Sequence, residues 1–330
     1  MTTNWDLLGN EWAVQLLKGQ IASGRLRHAY LMTGPDGVGR RTLALRLAQV
    51  LNCSNLPSPG EFCGECRACR GFARAQHPDL LIVERQEGDR DIKIASIREL
   101  SRSLSRTPLE ARYQMALLME FDSASEEAAN ALLKTLEEPN PSVVLCLTAP
   151  DAESLPETIA SRCELLRLRS MPIDQLATQL TARLSIDPDK AKLLASLSRG
   201  CPGLALFWYE NNAGLEQRAA WLQSCEQMLY ANRVQRFAFA DTASKDREAL
   251  RDLLLVWLSF WRDLVIRTSH SSAPISNPDM QESIETLSGR LTFDAARNGL
   301  RAINRSLDQL AINVNAKLAM EGLLLQFPPL

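Results

Sequence analysis

The first half of the chain alternates between two hydrophobic patterns. Short apolar runs, each bounded by polar or turn-forming residues, predict buried strands. These runs lie at residues 29–34, 79–84, 114–120, 142–149 and 164–169. Amphipathic stretches between them predict helices at 42–51, 94–105 and 126–138. Because strands and helices alternate, we predict an α/β fold with a parallel sheet and crossover helices.

The stretch SASEEAANALLKTLEEP, residues 123–139, carries clear helix signals. Ser123 and Glu126 have the spacing of a capping box, and Pro139 follows the last predicted turn. An apolar stripe of this kind predicts a helix with one face buried against the sheet. The stripe contains Ala129, Leu132, Leu133 and Leu136.

The strand patterns stop after Pro172. Residues 172–233 predict short helices, interrupted at Pro188 and at 200–203, and residues 234–330 are almost wholly helical in pattern. The run LLLVWLSFW, residues 253–261, is apolar on nearly every side of its predicted helix, which indicates a central position. A chain of 330 residues is long enough for more than one core. We therefore predict three domains, at 1–171, 172–233 and 234–330.

Composition and charge narrow the class of protein. The chain is 45% hydrophobic and 23% charged, which is typical of soluble globular proteins. A formal net charge of −2 gives no overall attraction to nucleic acid, so any such contact needs a local patch. The longest apolar run is too short to span a bilayer, and no signal peptide is visible, so we expect a cytoplasmic protein with no membrane partner. In a reducing compartment, eight cysteines indicate metal binding or burial rather than disulfides.

The stretch TGPDGVGRRTLA, residues 33–44, resembles a phosphate-binding loop with altered functional positions. Gly34, Gly37 and Gly39 supply a flexible backbone between a predicted strand and a predicted helix. Arg40 occupies the position of the phosphate-binding lysine, and Arg41 occupies that of the hydroxyl residue that binds Mg²⁺. We predict that Gly34, Gly37, Gly39 and Arg40 form a degenerate nucleotide site that is empty and does not hydrolyse ATP. The alternative is an ordinary strand–helix turn that holds no ligand.

A second nucleotide motif is altered in the same way. The run ALLME, residues 116–120, places Met119 where an aspartate would hold Mg²⁺, while Glu120 remains. A thioether cannot replace a carboxylate on a hard cation. Two independent Mg²⁺ positions are therefore lost, so we expect this chain not to use ATP or Mg²⁺.

Four cysteines have the spacing of a metal site. Cys53 is followed, after nine residues, by Cys63, Cys66 and Cys69 at two-residue intervals. This pattern suits tetrahedral Zn²⁺, and four thiolates leave no open coordination position, so we predict a structural zinc ion. Disulfides would require an oxidising compartment. His77 belongs to a turn in this interpretation and is not expected to bind the metal.

A DNA-binding zinc finger is a further interpretation of the cysteine cluster. Its basic residues Arg67, Arg70 and Arg74 are few, and no aromatic residues lie between them to stack on bases. The pattern therefore favours a structural role for the metal.

Four stretches resemble, in this order, the bacterial clamp-loader ATPases of the AAA+ superfamily. They are LLGNEWAVQLLKGQIASGRLRHAYLMTGPDGVGRRTLA, the cysteine cluster, AANALLKTLEEP and LPETIASRC, and the match spans most of residues 7–172. NVNAKLAMEGLLLQF, residues 313–327, resembles the end of the family's collar domain. The resemblance implies a AAA+ core at 1–171 with a zinc module at 53–69, a helical lid at 172–233 and a helical collar at 234–330 that mediates oligomerisation.

Within this family, the gamma/tau subunits keep the lysine and the aspartate that this chain lacks. They also have an arginine at the lid position that Gly203 of GCPGLAL occupies here. The resemblance therefore implies a non-catalytic member of a five-subunit ring that contains gamma/tau and delta subunits. Through that ring the chain would help place the sliding clamp on primer–template DNA. An active ATPase of the gamma/tau type, using Glu120, is the alternative.

Arg162 has a role that only the resemblance implies. It matches the arginine of the family's Ser-Arg-Cys motif, which reaches the ATP site of a neighbouring gamma/tau subunit. An arginine supplied in trans stabilises charge on a transferring phosphoryl group. Without the motif, Arg162 would be interpreted as an ordinary surface residue.

Overall fold

The apolar runs in the first half of the chain form a parallel sheet. In the computed structural model, which describes residues 5–86, 89, 91–312 and 314–328, the strand order is β2-β3-β4-β1-β5 and each neighbouring pair is parallel. The predicted parallel α/β core is therefore confirmed. The strands are β1 (Ala29–Thr33), β2 (Leu80–Val83), β3 (Gln114–Leu118), β4 (Val143–Ala149) and β5 (Glu164–Arg167).

Helices cover both faces of the sheet. They are α1 (Glu11–Ala22), α2 (Arg40–Asn52), α3 (Arg67–Ala73), α4 (Ile94–Leu104), α5 (Glu126–Glu137) and α6 (Glu157–Ala160). Alternate residues of β1 belong to different cores: Tyr30 and Met32 pack with α1, α2 and α3, whereas Ala29 and Leu31 pack with α4, α5 and α6. Because both faces are buried, the inner strands read as continuous apolar runs.

α5 begins at Glu126 as predicted, but its N-cap residue differs from the predicted one. Ser125, not Ser123, caps the helix, and its hydroxyl accepts a hydrogen bond from the Ala128 N–H at 3.2 Å. Ser123 instead ends a 3₁₀ turn, Phe121–Ser123, and donates from its hydroxyl to the Glu120 carbonyl. The capping-box prediction was wrong because the turn after β3 uses Ser123 before the helix begins. Leu133 is only half-buried, and Ala128 joins the buried stripe.

The remaining α-helices follow Pro172. The helices are α7 (Ile173–Leu184), α8 (Pro188–Leu197), α9 (Pro202–Glu210), α10 (Asn212–Tyr230), α11 (Arg233–Ala243), α12 (Arg247–Thr268), α13 (Gln281–Ser288), α14 (Phe293–Ala311) and α15 (Ala316–Gln326). The hydrophobic pattern did not predict α9. It begins at Pro202, inside the predicted interruption, because proline is well tolerated in the first turn of a helix.

The chain divides into two units, Met1–Pro172 with Gly200–Leu204, and Ile173–Arg199 with Ala205–Leu330. The core of the second unit is built around α12. Trp261 and Phe327 pack with ring centroids 4.9 Å apart, and a Cβ at Gly299 would lie 2.1 Å from Trp261. Glycine therefore lets α14 approach α12 closely. Leu255 is 43% exposed, so α12 is less completely buried than its apolar run predicted.

The core of the second unit also contains residues of α10. Leu222 and Leu229 belong to the same buried cluster as residues of α12, α14 and α15. The boundary predicted at 233–234 is not resolved by the two units and stays a prediction. Residue 313, the first of the collar-like stretch, lies outside the described residues, whereas α15 includes most of that stretch. Across the part of the chain that is described, no helix is both long and apolar enough to cross a membrane.

Candidate functional site

The glycine loop lies between β1 and α2. Gly34, Gly37 and Gly39 have φ angles of 142°, 71° and 107°, which favour glycine. A Cβ at Gly34 would lie 2.5 Å from the Leu168 carbonyl oxygen, so this position also requires glycine for space. α2 begins directly after Gly39, and the first N–H groups of a helix lack intrahelical partners, which is the feature that anion-binding loops use. The backbone of the motif is therefore formed.

The arginines that replace the functional residues are paired with acidic residues. The Arg40 side chain is only 8% exposed and donates to Asp36, which belongs to the same loop. Its Nη1 is buried with no hydrogen-bond partner among the described residues. Arg41 Nη1 lies 3.7 Å from Glu84 Oε2. Because Asp36 partly neutralises Arg40, this guanidinium is poorly suited to replace a lysine that contacts phosphate.

The first turn of α9 packs against the loop. The Gly203 N–H donates to the Gly37 carbonyl oxygen at 2.7 Å. A Cβ at Gly37 would lie 2.6 Å from Leu204 atoms, and a Cβ at Gly203 would lie 2.9 Å from the Gly37 carbonyl oxygen. Two glycines therefore allow close backbone contact here. The sequence marked Gly203 as a missing arginine, but it gave no sign that this residue touches the loop.

The second altered motif lies at the end of β3. The buried Thr148 hydroxyl donates a hydrogen bond to Met119 Sδ at 3.9 Å. The same hydroxyl oxygen accepts a hydrogen bond from the Glu120 N–H at 2.9 Å. Glu120 has a left-handed backbone and an exposed side chain. Mg²⁺ requires oxygen ligands in octahedral geometry, and a thioether stands at the key position. The arrangement is therefore unfavourable for Mg²⁺.

The four predicted cysteines lie together. Their Sγ atoms are all within 4.8 Å of one another, with Cys53 and Cys63 at 3.5 Å and Cys63 and Cys69 at 3.9 Å. Four thiolates about 2.3 Å from a tetrahedral Zn²⁺ would be separated by about 3.8 Å. The cluster therefore fits a zinc ion, with Cys53, Cys63, Cys66 and Cys69 as ligands.

Backbone groups orient the thiols. N–H groups of Cys63, Cys66 and Cys69 donate to the sulfur of the preceding cysteine at 3.3, 3.3 and 3.4 Å. Burial acts to raise the pKa of the Cys66 thiol, but the Cys69 N–H and hydrogen bonds from Ser54 outweigh it and lower that pKa to about 6. Burial raises the pKa of Cys69. The N–H donors favour thiolate, which is the form that binds a metal.

The cluster is anchored to the α/β core. Cys53 follows α2, and Cys66 caps α3. The Trp5 indole N–H donates to the Gly60 carbonyl at 2.8 Å, and the Gln49 amide donates to the Cys69 carbonyl at 2.9 Å. Because these contacts reach well beyond the loop, ordering the cluster stabilises the packing around it.

The other candidate metal ligands lie apart from this cluster. His77 stacks on Phe72 at 4.1 Å and its Nδ1 accepts from the Asp79 N–H, which agrees with the predicted turn. Cys146, Cys201 and Cys225 are buried.

Arg162 lies just after α6, and its side chain is 37% exposed. It donates to the Thr158 carbonyl at 2.9 Å and to Glu137 Oε1 at 2.7 Å. Glu137 is the last residue of α5 and had no role in the sequence interpretation. An ion pair with this exposure is weak in water. The guanidinium is therefore held in place but stays accessible to a partner.

Two family models match the chain. The model described as "DNA polymerase III, delta subunit" matches residues 9–172. The model described as "DNA polymerase III, delta subunit, C terminal" matches residues 212–328. The matched segments contain the glycine loop, the cysteine cluster and Arg162 in the first case, and α10 to α15 in the second.

Curated relatives extend over nearly the whole chain. The DNA polymerase III subunit delta-prime of Pseudomonas aeruginosa is 30% identical over 312 residues, which cover 92% of each chain. That of Bacillus subtilis is 29% identical over 319 residues, or 94% of each chain. The tau subunit of Escherichia coli is 32% identical over 202 residues, which cover 59% of this chain and 30% of tau.

Among solved structures, a DNA polymerase III gamma subunit-related protein of Thermotoga maritima covers 94% of this chain and 97% of its own. Its TM-score is 0.48 at 17% identity. The clamp loader delta protein of Bacillus subtilis has a TM-score of 0.37 at 10% identity, covering 95% and 98% of the two chains. Scores at this level are too low to support an argument about fold or function.

Proposed function

The chain belongs to the family of DNA polymerase III delta-prime subunits, and from this premise we propose that it is a non-catalytic subunit of the clamp loader. The observation that carries the proposal is the pair of altered nucleotide motifs. Arg40 is buried and donates to Asp36, and Met119 stands where a Mg²⁺-binding carboxylate would be needed. Without those groups, the glycine loop lacks both its phosphate-binding lysine and its metal ligands.

We propose that Arg162 acts on a neighbouring subunit rather than on this one. Its exposed guanidinium is held by Glu137 and the Thr158 carbonyl, which limits its orientations before a partner binds. In the proposed ring it would approach the ATP site of a gamma/tau subunit and stabilise charge on the transferring phosphoryl group. Such an arginine raises the rate at one site by about 10³–10⁵-fold.

The proposed zinc ion has a structural role. When bound, it would hold Cys53, Cys63, Cys66 and Cys69 in one tetrahedral unit and link the end of α2 to α3. With four thiolate ligands, it would have no open position for a substrate. The few basic residues of the module do not favour the DNA-binding alternative.

The remaining predictions stay part of this proposal. They are a AAA+ core at 1–171, a lid at 172–233, a collar at 234–330, a cytoplasmic location, and gamma/tau and delta subunits as partners. Contact with the sliding clamp and primer–template DNA would occur through the assembled complex.

An active ATPase of the gamma/tau type is the competing function, and ATP turnover separates the two. We expect the purified chain to show no Mg²⁺-dependent ATP hydrolysis above buffer, while a complex reconstituted with gamma/tau and delta subunits requires the chain for clamp loading. The control is the isolated gamma/tau subunit under the same conditions. Turnover by the isolated chain at the gamma/tau rate would overturn the non-catalytic assignment.

A further inference from the structure

A surface on the α/β unit has the composition of a protein-binding site. It is a groove along the outer edge of β5, which we call the β5 groove, lined by Trp12, Leu165, Arg167 and Arg169. Trp12, on α1, is 46% exposed, and the Arg167 side chain is 61% exposed. Tryptophan and arginine are enriched among residues that dominate binding energy at protein interfaces. An exposed tryptophan in one groove with two arginines is therefore unusual for a surface without a partner.

The backbone of β5 is open along this groove. β5 is the last strand of the sheet and pairs on one side with β1. The Leu168 N–H points toward β1 and donates to the Thr33 carbonyl at 2.8 Å. Because backbone groups alternate along a parallel strand, the N–H and C=O groups of Leu165 and Arg167 point away from β1. An unpaired edge of this kind can accept another strand.

Asn10 marks one end of the open edge. Its side-chain oxygen accepts from the Arg169 N–H at 2.8 Å, and its side-chain nitrogen donates to the Arg169 carbonyl at 2.9 Å. The Asn10 side-chain amide thus forms hydrogen bonds with the Arg169 backbone in the way that the backbone of a neighbouring strand would. Toward the start of β5, the next residues whose backbone groups face outward are Arg167 and Leu165. Within the described residues, no side chain forms hydrogen bonds with these backbone groups as Asn10 does with Arg169.

The two sides of the groove differ in chemistry. Leu166 packs in the same core as α1, the helix that carries Trp12, whereas Leu165 packs in the core on the other face of the sheet. Arg167 and Arg169 alternate with Leu166 and so share the face of Leu165. A strand added at this edge would present alternate side chains to Trp12 and to the arginines.

The charges of the groove favour an acidic occupant. The nearest carboxylate to Arg167 is that of Glu153, at 3.5 Å, and both side chains are largely exposed, so this pair is weak. Arg169 forms no ion pair with any residue that the structure describes. Two arginines are therefore available to carboxylates of a partner.

We propose that the β5 groove binds an extended, acidic segment of a partner protein, which adds to the sheet beside β5. The segment alternates apolar residues, which pack on Trp12, with acidic residues, which pair with Arg167 and Arg169. Strand addition obtains affinity from backbone hydrogen bonds and selectivity from alternate side chains. Single-stranded nucleic acid could stack on tryptophan and pair with arginine, but phosphodiesters have no donor for the free carbonyl groups of the edge. This inference does not depend on the proposed function.

The test uses the full chain and a fluorescein-labelled, acetylated and amidated Glu-Val repeat peptide. We expect saturable binding by fluorescence anisotropy, together with slower hydrogen exchange at the N–H groups of Leu165 and Arg167. Trp12→Ala, Arg167→Glu and Arg169→Glu should each weaken binding by about tenfold or more. Arg98→Glu, an exposed arginine on α4, is the matched control and should leave binding unchanged.

Three further probes separate the possible occupants. A Lys-Val repeat peptide should bind at least about tenfold more weakly, since its charges repel the arginines. A Glu-Val peptide methylated at alternate backbone nitrogens should also lose affinity, because it has fewer donors for the edge. Binding of a short oligodeoxythymidylate in place of the Glu-Val peptide would overturn the proposal. So would no peptide binding, binding insensitive to the groove variants, or binding without protection of Leu165 and Arg167.

Discussion

Gly37 is the residue at which the glycine loop and the first turn of α9 meet. Its φ of 71° disfavours a side chain, and a Cβ would lie 2.6 Å from Leu204 atoms, including a backbone nitrogen. Gly24 has a similar φ of 67° but nothing within 4 Å of its Cβ position. The two glycines therefore separate the cost of backbone strain from the cost of a steric clash.

We expect Gly24→Ala to lower the free energy of unfolding by about 1–2 kcal/mol, from the left-handed backbone alone. Gly37→Ala should lower it by about 1–3 kcal/mol more, because atoms must also move to admit the methyl group. Urea denaturation monitored by circular dichroism measures both. Equal losses for the two variants would show that the contact with Leu204 has no energetic importance.

For single residues, the sequence predicted which motif positions had lost their ligand-binding groups, but it did not predict which residues contact one another. The arginines at positions 40 and 41 and Met119 could be recognised as substitutions in motifs with known ligand requirements. The pairing of Arg40 with Asp36, of Arg162 with Glu137, and of Gly37 with Gly203 could not. Each depends on side-chain direction or on the folding of distant segments, which residue spacing along the chain does not encode.

The proposed zinc module is the element whose stability would depend most directly on a ligand. We expect about one Zn²⁺ per chain in protein prepared under reducing conditions, since four sulfurs lie within 4.8 Å of one another. Cys66→Ser should lower the zinc content and the midpoint of thermal unfolding, and a strong chelator should have the same effect on the original chain.

Cys146→Ala is the matched control for the zinc module, because Cys146 is buried in β4 and takes no part in the cluster. It should keep the full zinc content, although it can lose some stability through core packing. Elemental analysis alongside calorimetry distinguishes the two effects. Zinc-free protein with an unchanged unfolding temperature would rule out the structural role.

Secondary structure was largely predictable because the pattern of burial is simple in the α/β unit. Each predicted strand forms, with ends that lie within two residues of the predicted ones. The inner strands β1, β3 and β4 are buried on both faces and therefore give unbroken apolar runs. The N-cap predicted for α5 was wrong because Ser123 and Ser125 both suit a cap, and the 3₁₀ turn after β3 decides between them. α9 was missed because its first turn contains glycine and proline.

At the scale of the molecule, the sequence showed where strands end and helices take over, at Pro172, but it could not show which helices share a core. Residues of α10 pack with α12, although the predicted boundary at 233–234 lies between these two helices. Helix periodicity identifies a buried face and does not identify its partner. Only tertiary contacts supply that information.

The boundary can be tested with two fragments. We expect residues 212–330 to fold as a stable helical unit, since the buried cluster of α10, α12, α14 and α15 is then complete. Residues 234–330 should be markedly less stable, because Leu222, Cys225 and Leu229 are absent from the core. Thermal unfolding followed by circular dichroism compares them. Equal cooperativity and equal midpoints would instead support a collar that begins at residue 234.

The central claim is that this chain lacks chemistry of its own and supplies Arg162 to a neighbour. The most direct test is DNA-stimulated ATP turnover by a ring reconstituted with gamma/tau and delta subunits and either the original chain or Arg162→Ala, at matched assembly. Arg25→Ala is the control, an exposed arginine at a distant sequence position. Arg162→Ala should change the free energy of unfolding by under about 1 kcal/mol and leave the zinc content unaltered.

We predict a partial loss of turnover and of clamp loading with Arg162→Ala, because one adjoining site loses its arginine while other sites keep theirs. Turnover equal to that of the original ring would contradict the account and leave Arg162 as a surface residue paired with Glu137.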